Sequence, residues 1–214
     1  VSDPGSKRSV AGASIASTSP AGATTAFARK GAAWCEVTKL TDPIFRVRLG
    51  GLLRTSWMST LCNRLAQARV SIEHTHARLA HDQSWIAELH VSAVVEGANP
   101  LTLPYIEFME ADDGAAPHRA LRLDAYRLIE SRDYGGTLML TLEAPDTLGL
   151  LGALLASVGS LGLFPVEVHI ETRGGRAYDC LWLGAANGAA PAAGARDALD
   201  RLLAPSAKVT DSRI

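Results

Sequence analysis

The chain has 214 residues, 47% of them hydrophobic and 20% charged, with a formal net charge of −1. That balance suits one or two globular units with packed cores and gives no general attraction for nucleic acid or an anionic membrane. Cys35, Cys62 and Cys180 are odd in number, widely spaced and outside any Cys-x-x-Cys arrangement, so they indicate neither a disulfide framework nor a cysteine zinc site.

Residues 1–33 are rich in Ser, Ala, Gly and Thr and carry no apolar periodicity, which predicts a disordered tail. Order is expected to begin near Trp34 to Leu40. Phe45, Val47 and Leu49 then alternate as a half-buried strand should, and Leu138, Leu140 and Leu142 repeat the pattern at an offset of 93 (45 to 138). The same offset aligns two helical faces: Met58, Leu61, Cys62, Leu65 and Ala68 fall on Leu151, Leu154, Leu155, Val158 and Leu161. Each helix leads into a hairpin, Val70–Leu79 with Trp85–Val91 in the first copy and Leu163–Thr172 with Arg176–Leu183 in the second. Second helices are expected near Thr102–Glu110 and Ala192–Leu203, and closing strands near Ala120–Ile129 and Ala207–Ile214. The predicted class is α+β: βαββαβ written twice, as two tandem ferredoxin-like domains, each a four-stranded antiparallel sheet with two helices on one face. The boundaries follow as a tail at 1–33, a divergent first domain at 34–130, a linker at 131–136 and a second domain at 137–214.

The second copy opens Thr137-Leu-Met-Leu-Thr-Leu-Glu-Ala-Pro-Asp-Thr-Leu-Gly-Leu-Leu, and its hairpin reads Ile170-Glu-Thr-Arg-Gly-Gly-Arg-Ala-Tyr-Asp-Cys-Leu-Trp-Leu. These stretches resemble the ACT family, whose first turn typically reads Asp-Arg-Pro-Gly-Leu-Leu. The flavour is that of the paired ACT domains of nitrogen-signalling uridylyltransferases, of plant tandem-ACT proteins and of the glycine cleavage system repressor. The resemblance implies a regulatory module that binds an amino acid at the turn between first strand and first helix. Asp146, Thr147, Leu148, Gly149 and Leu150 are then the ligand candidates, Asp146 accepting from an amine and the helix N-terminal amides receiving a carboxylate. The alternative for the same residues is local: Asp146 caps the helix and Gly149 lets it pack closely. In the first copy the turn is Gly51-Leu-Leu-Arg-Thr-Ser56, without the aspartate or the final glycine, so two equivalent sites are not expected.

His74 and His76 alternate on one strand and Glu88 and His90 on its hairpin partner, placing all four on the sheet face away from the helices. Such a set suits either zinc or a polar, partly solvated face, and no metal is assigned to it. On the matching face of the second copy, His169, Tyr178, Cys180 and Trp182 are more aromatic than a solvent face requires, which points to a covering element or partner.

No Gly-x-Ser-x-Gly elbow, phosphate-binding Gly-Lys-Ser/Thr loop, dinucleotide fingerprint or His-Glu-x-x-His motif is present, so neither an enzyme nor a cofactor is expected. The expectation is a cytoplasmic sensor of an amino acid or small carboxylate, acting as a homo-oligomer or on a partner enzyme, without nucleic-acid or membrane partners. Two other readings stay open: the regulatory C-terminal part of a larger enzyme such as a nucleotidyltransferase, and a ligand-free interaction module.

Overall fold

Residues 31–112 and 121–204 are described by a computed structural model of the chain. The elements run β1 (Trp34–Thr41), β2 (Ile44–Gly51), α1 (Trp57–Gln67), β3 (Val70–Leu79), β4 (Trp85–Ala93) and α2 (Tyr105–Glu110). The series then repeats as β5 (Ala125–Ser131), β6 (Thr137–Pro145), α3 (Leu150–Gly159), β7 (Phe164–Arg173), β8 (Arg176–Gly184) and α4 (Ala195–Leu203). The first helix of each half and both hairpins form where the apolar periodicity places them. Pro104, whose backbone is not helical, delays α2 to Tyr105.

The expected pair of separate four-stranded βαββαβ domains does not form. The eight strands among the described residues join one antiparallel sheet in the order β1-β2-β4-β3-β7-β8-β6-β5. Two departures account for this. The strand expected to close the first unit is β5, and it pairs with β6, to which the tight turn at Asp133–Gly135 ties it. The place beside β2 is taken by β1, a strand that the sequence pattern did not reveal, which returns through the short Asp42–Pro43 turn. Each half therefore runs ββαββα, with its outer strand preceding the rest. The halves fuse where β3 pairs with β7, His76 standing opposite His169 and Ala77 opposite Val168. The expected strand at 207–214 and the expected tail, apart from residues 31–33, lie outside the described residues.

Register makes the fusion physical. One row of inward side chains crosses all eight strands: Val37, Val47, Leu89, Thr75, Ile170, Asp179, Leu142 and Tyr126. Beside it run Leu49, Ala87, Ala77, Val168, Leu181 and Leu140, each at most 2% exposed. Burying one such leucine contributes about 2 kcal/mol, and the continuous row means that both halves draw on one core. Helix α3 reads Leu-Leu-Gly-Ala-Leu-Leu-Ala-Ser-Val-Gly, apolar on every side, and is buried along most of its length as such a helix must be. It packs on α1, its counterpart in the first half. At Gly152 the approach is so close that a Cβ would meet Asn63 Oδ1 at 2.2 Å and the Asn63 backbone nitrogen at 3.1 Å. No helix among the described residues is long and apolar enough to cross a membrane.

Candidate functional site

The turn Asp146–Leu150 lies between β6 and α3, on the seam of the two halves. It heads a small pocket of about 40 Å³ whose walls come from both sides: Cys62 and Ala66 of α1, Val70 to Ile72 of β3, Ile170 and Thr172 of β7, and Ala177 and Asp179 of β8. All five sequence-predicted residues line it. Thr147 is exposed, Asp146, Leu148 and Gly149 are half-buried, and Leu150 is buried.

Local geometry separates two of the roles open to Asp146. The N-cap of α3 is Gly149, at φ 88°, and no side chain caps that helix. A left-handed backbone at this point suits glycine and strains other residues, so Gly149 sets the turn that points 146–148 at the seam. Asp146 is thereby free of capping. Its backbone N–H donates to the Gly175 carbonyl at 2.9 Å, pinning the turn to the β7–β8 hairpin. Burial, and then the charge of Glu73, raise the Asp146 carboxyl above its ordinary range, while a hydrogen bond with Thr172 opposes the rise.

Asp179 was outside the residues that sequence singled out as ligand candidates. It sits on the inner face of β8, only 3% exposed, and its Oδ1 has no hydrogen-bond partner among the described residues. A carboxylate in the apolar row of a sheet is costly unless neutral or partnered. Burial first, and the Asp146 charge second, push its pKa up to about 7. A period-two pattern through Ala177, Asp179 and Leu181 is the signal that could have found it: a strand whose inward positions include one acid. Cys62, in the same wall, is held as a thiol, since burial drives its pKa to about 12. It offers apolar surface rather than a nucleophile.

The first half has its own pocket in the matching place, about 310 Å³, lined by the turn Leu52–Thr55, by Leu79 and Trp85, and by Phe164, Pro165, Ala185 and Gly188 from the other half. Its chemistry differs. Arg54 stands in the turn, paired with Asp112 at 3.8 Å, and the inward positions of β4 that correspond to Ala177 and Asp179 are Trp85 and Ala87. Two carboxylates line one pocket, while an indole and a guanidinium line the other.

No protein-family model matches the chain, and no curated protein matches it. Among solved structures, that of aspartate kinase from Synechocystis is similar at 13% identity, with a TM-score of 0.46, covering 76% of this chain and 26% of that one. A likeness so loose carries no argument about family or activity.

On the opposite sheet face the predicted side-chain directions hold. His74 pairs with His90 and His76 with Glu88 across β3 and β4, and His169 with Cys180 and Glu171 with Tyr178 across β7 and β8. The four residues weighed as a zinc set do not converge as one group. His90 Nε2 lies 3.3 Å from Glu88 Oε1, while His76 turns toward β7.

Proposed function

We propose that this chain binds a small ammonium-bearing carboxylate, with an amino acid as the leading class, in the seam pocket under Asp146–Leu150, and passes its occupancy to a partner. The reading rests on one observation: the unpartnered Oδ1 of buried Asp179 beside Asp146 in that pocket. Two acids with no basic side chain among the lining residues favour a cation, and an ammonium group would satisfy the orphaned oxygen. The first turn of α3 supplies amide dipoles suited to the ligand's carboxylate. The likeness of this turn to those of the ACT family supports the same assignment. Because α1 and β3 belong to one half and α3, β7 and β8 to the other, occupancy would bias how the halves sit together. That is the differential contact a sensor requires.

A second reading, a ligand-free interaction module, is favoured by the size of the pocket, which holds a few waters rather than an amino acid. Ligand entry then requires the turn to move outward. Thermal shift against the common amino acids distinguishes the two readings. A ligand at 100 times its Kd stabilises by about 2.7 kcal/mol, which raises Tm by roughly 5–10 °C. Asp179→Asn and Asp146→Ala should each reduce that shift. No response to any amino acid in the parent chain would leave the interaction module standing instead, and a shift undiminished in both variants would move the ligand out of this pocket.

A further inference from the structure

From the geometry at the β3–β7 seam we infer a second site, on the sheet face opposite the pocket: a divalent transition-metal site built from His76, Glu167 and His169. His76 and His169 stand directly opposite each other on neighbouring strands, with ring centroids 4.6 Å apart and planes inclined by 31°. Both aim Nε2 at the same atom, Glu167 Oε1, at 2.7 Å from His76 and 3.1 Å from His169. The three ligand atoms lie within 4.8 Å of one another. Tetrahedral zinc with bonds of 2.0–2.1 Å has ligand-to-ligand edges of roughly 3.3 Å, so small side-chain adjustments would suffice to enclose an ion.

The burial pattern argues that this cluster is built rather than incidental. Glu167 faces the helix-free side of the sheet, yet its side chain is only 5% exposed, whereas the two imidazoles above it are about half exposed. Glu167 stands two residues before His169 in unbroken register with both β8 and β3, so strand alternation places the two side chains on this same face. Trp182, paired with Glu167 across β8, sets its ring edge-on to His169 at 5.4 Å and to Tyr134 at 5.8 Å. Burial, and then the charge of Glu167, raise the Tyr134 phenol above its ordinary range, which sets it near that carboxylate. Tyr134 holds this place from a backbone at φ 53°, an unfavourable conformation for a tyrosine, which the turn between β5 and β6 maintains. Outer partners of this kind orient metal ligands and tune their basicity.

Two imidazoles and one carboxylate, with an open fourth position, suit zinc and its neighbours rather than calcium or magnesium, which prefer all-oxygen shells. Without metal, the N–O contacts are hydrogen bonds. Uptake of the ion through Nε2 replaces these hydrogen bonds and leaves each neutral imidazole with its one proton on Nδ1. The ligands come from both halves, and the ion would cross-link the seam on the face remote from Asp146 and Asp179.

The test is titration of the full chain with Zn2+ against a chromophoric chelator, with Co2+ absorption as a second measurement. One ion per chain is expected. His76→Ala and His169→Ala should each weaken binding by roughly 100-fold or more, beyond the 10- to 100-fold that outer partners are worth, and Tyr134→Phe by about 10-fold. His90→Ala, on the same face but outside the cluster, should stay within about threefold of the parent. Circular dichroism checks that each variant is folded, and the isosteric Glu167→Gln gives an independent ligand deletion with little change of shape. Absence of binding, unchanged affinity in both His76→Ala and His169→Ala, or a loss in His90→Ala equal to theirs would overturn the assignment. None of these outcomes bears on amino-acid binding in the pocket.

Discussion

Asp179 ties stability to pH through one side chain, and under the proposed function it ties both to ligand binding. Burial lifts its pKa from 3.8 to about 7, so between those values the folded protein holds a proton that the unfolded chain has released. The sign follows: its contribution to stability is full below about pH 4 and is lost as pH rises toward 7. Three units correspond to about 4 kcal/mol. Urea unfolding at pH 5 and pH 8 should show this decline in the parent chain and a much flatter profile in Asp179→Asn. Ligand affinity should run the opposite way, because an ammonium group prefers the ionised acid. Calorimetric titration with an amino acid identified by thermal shift is expected to tighten from pH 6 to pH 8 in the parent and to stay flat in Asp179→Asn. A parent profile without slope would remove Asp179 from the ligand's surroundings.

At the scale of elements, the contact between α1 and α3 depends on an absent side chain. Gly152→Ala adds a methyl group against Asn63, and the resulting overpacking should cost roughly 1–2 kcal/mol after the helix-favouring effect of alanine is allowed for. Asn63→Ala in the same chain should recover most of that loss in chemical denaturation, because the Asn63 side chain makes the closest contact. The faces of β2, β6, α1 and α3 were legible because Phe45, Val47 and Leu49 and their repeats carry uninterrupted periodicity. Strand neighbours were not. Tyr126 and Leu128 alternate inward on β5 and would have fitted beside β2 as well as beside β6; the short Asp133–Gly135 connection decides between them. β1 was missed because Cys35 and Val37 alone alternate inward before Lys39 and Leu40 blur the period. The candidate site divides similarly. The turn at Asp146–Leu150 is continuous in sequence and could be read there, whereas Cys62, Ile72 and Asp179 reach the pocket only through strand order and helix packing. The histidine face was legible from alternation, which also sets Glu167 beside His169, but the β3–β7 pairing that brings His76 to them appears only in the sheet order.

On the scale of the whole molecule, eight strands and one apolar core make the halves mutually dependent. Unfolding should be a single transition, with near-ultraviolet signals from Trp57 in the first half and Trp182 in the second changing together with far-ultraviolet dichroism. Leu61→Ala, at a fully buried position of α1, should lower that shared midpoint by about 2–5 kcal/mol in free-energy terms rather than unfolding the first half alone. Two separate transitions would contradict a shared core. The pairing of β3 with β7 has a further consequence while the protein is being made. β3 is complete at Leu79, but its neighbour is not complete until Arg173, and at 5–20 residues per second a nascent chain waits roughly 5–20 s for it. During that interval the half-made sheet ends in a strand with open backbone groups. That strand presents His74, His76 and Arg78 on one face, polar and partly cationic side chains of the kind that discourage strangers from pairing with an unfinished edge.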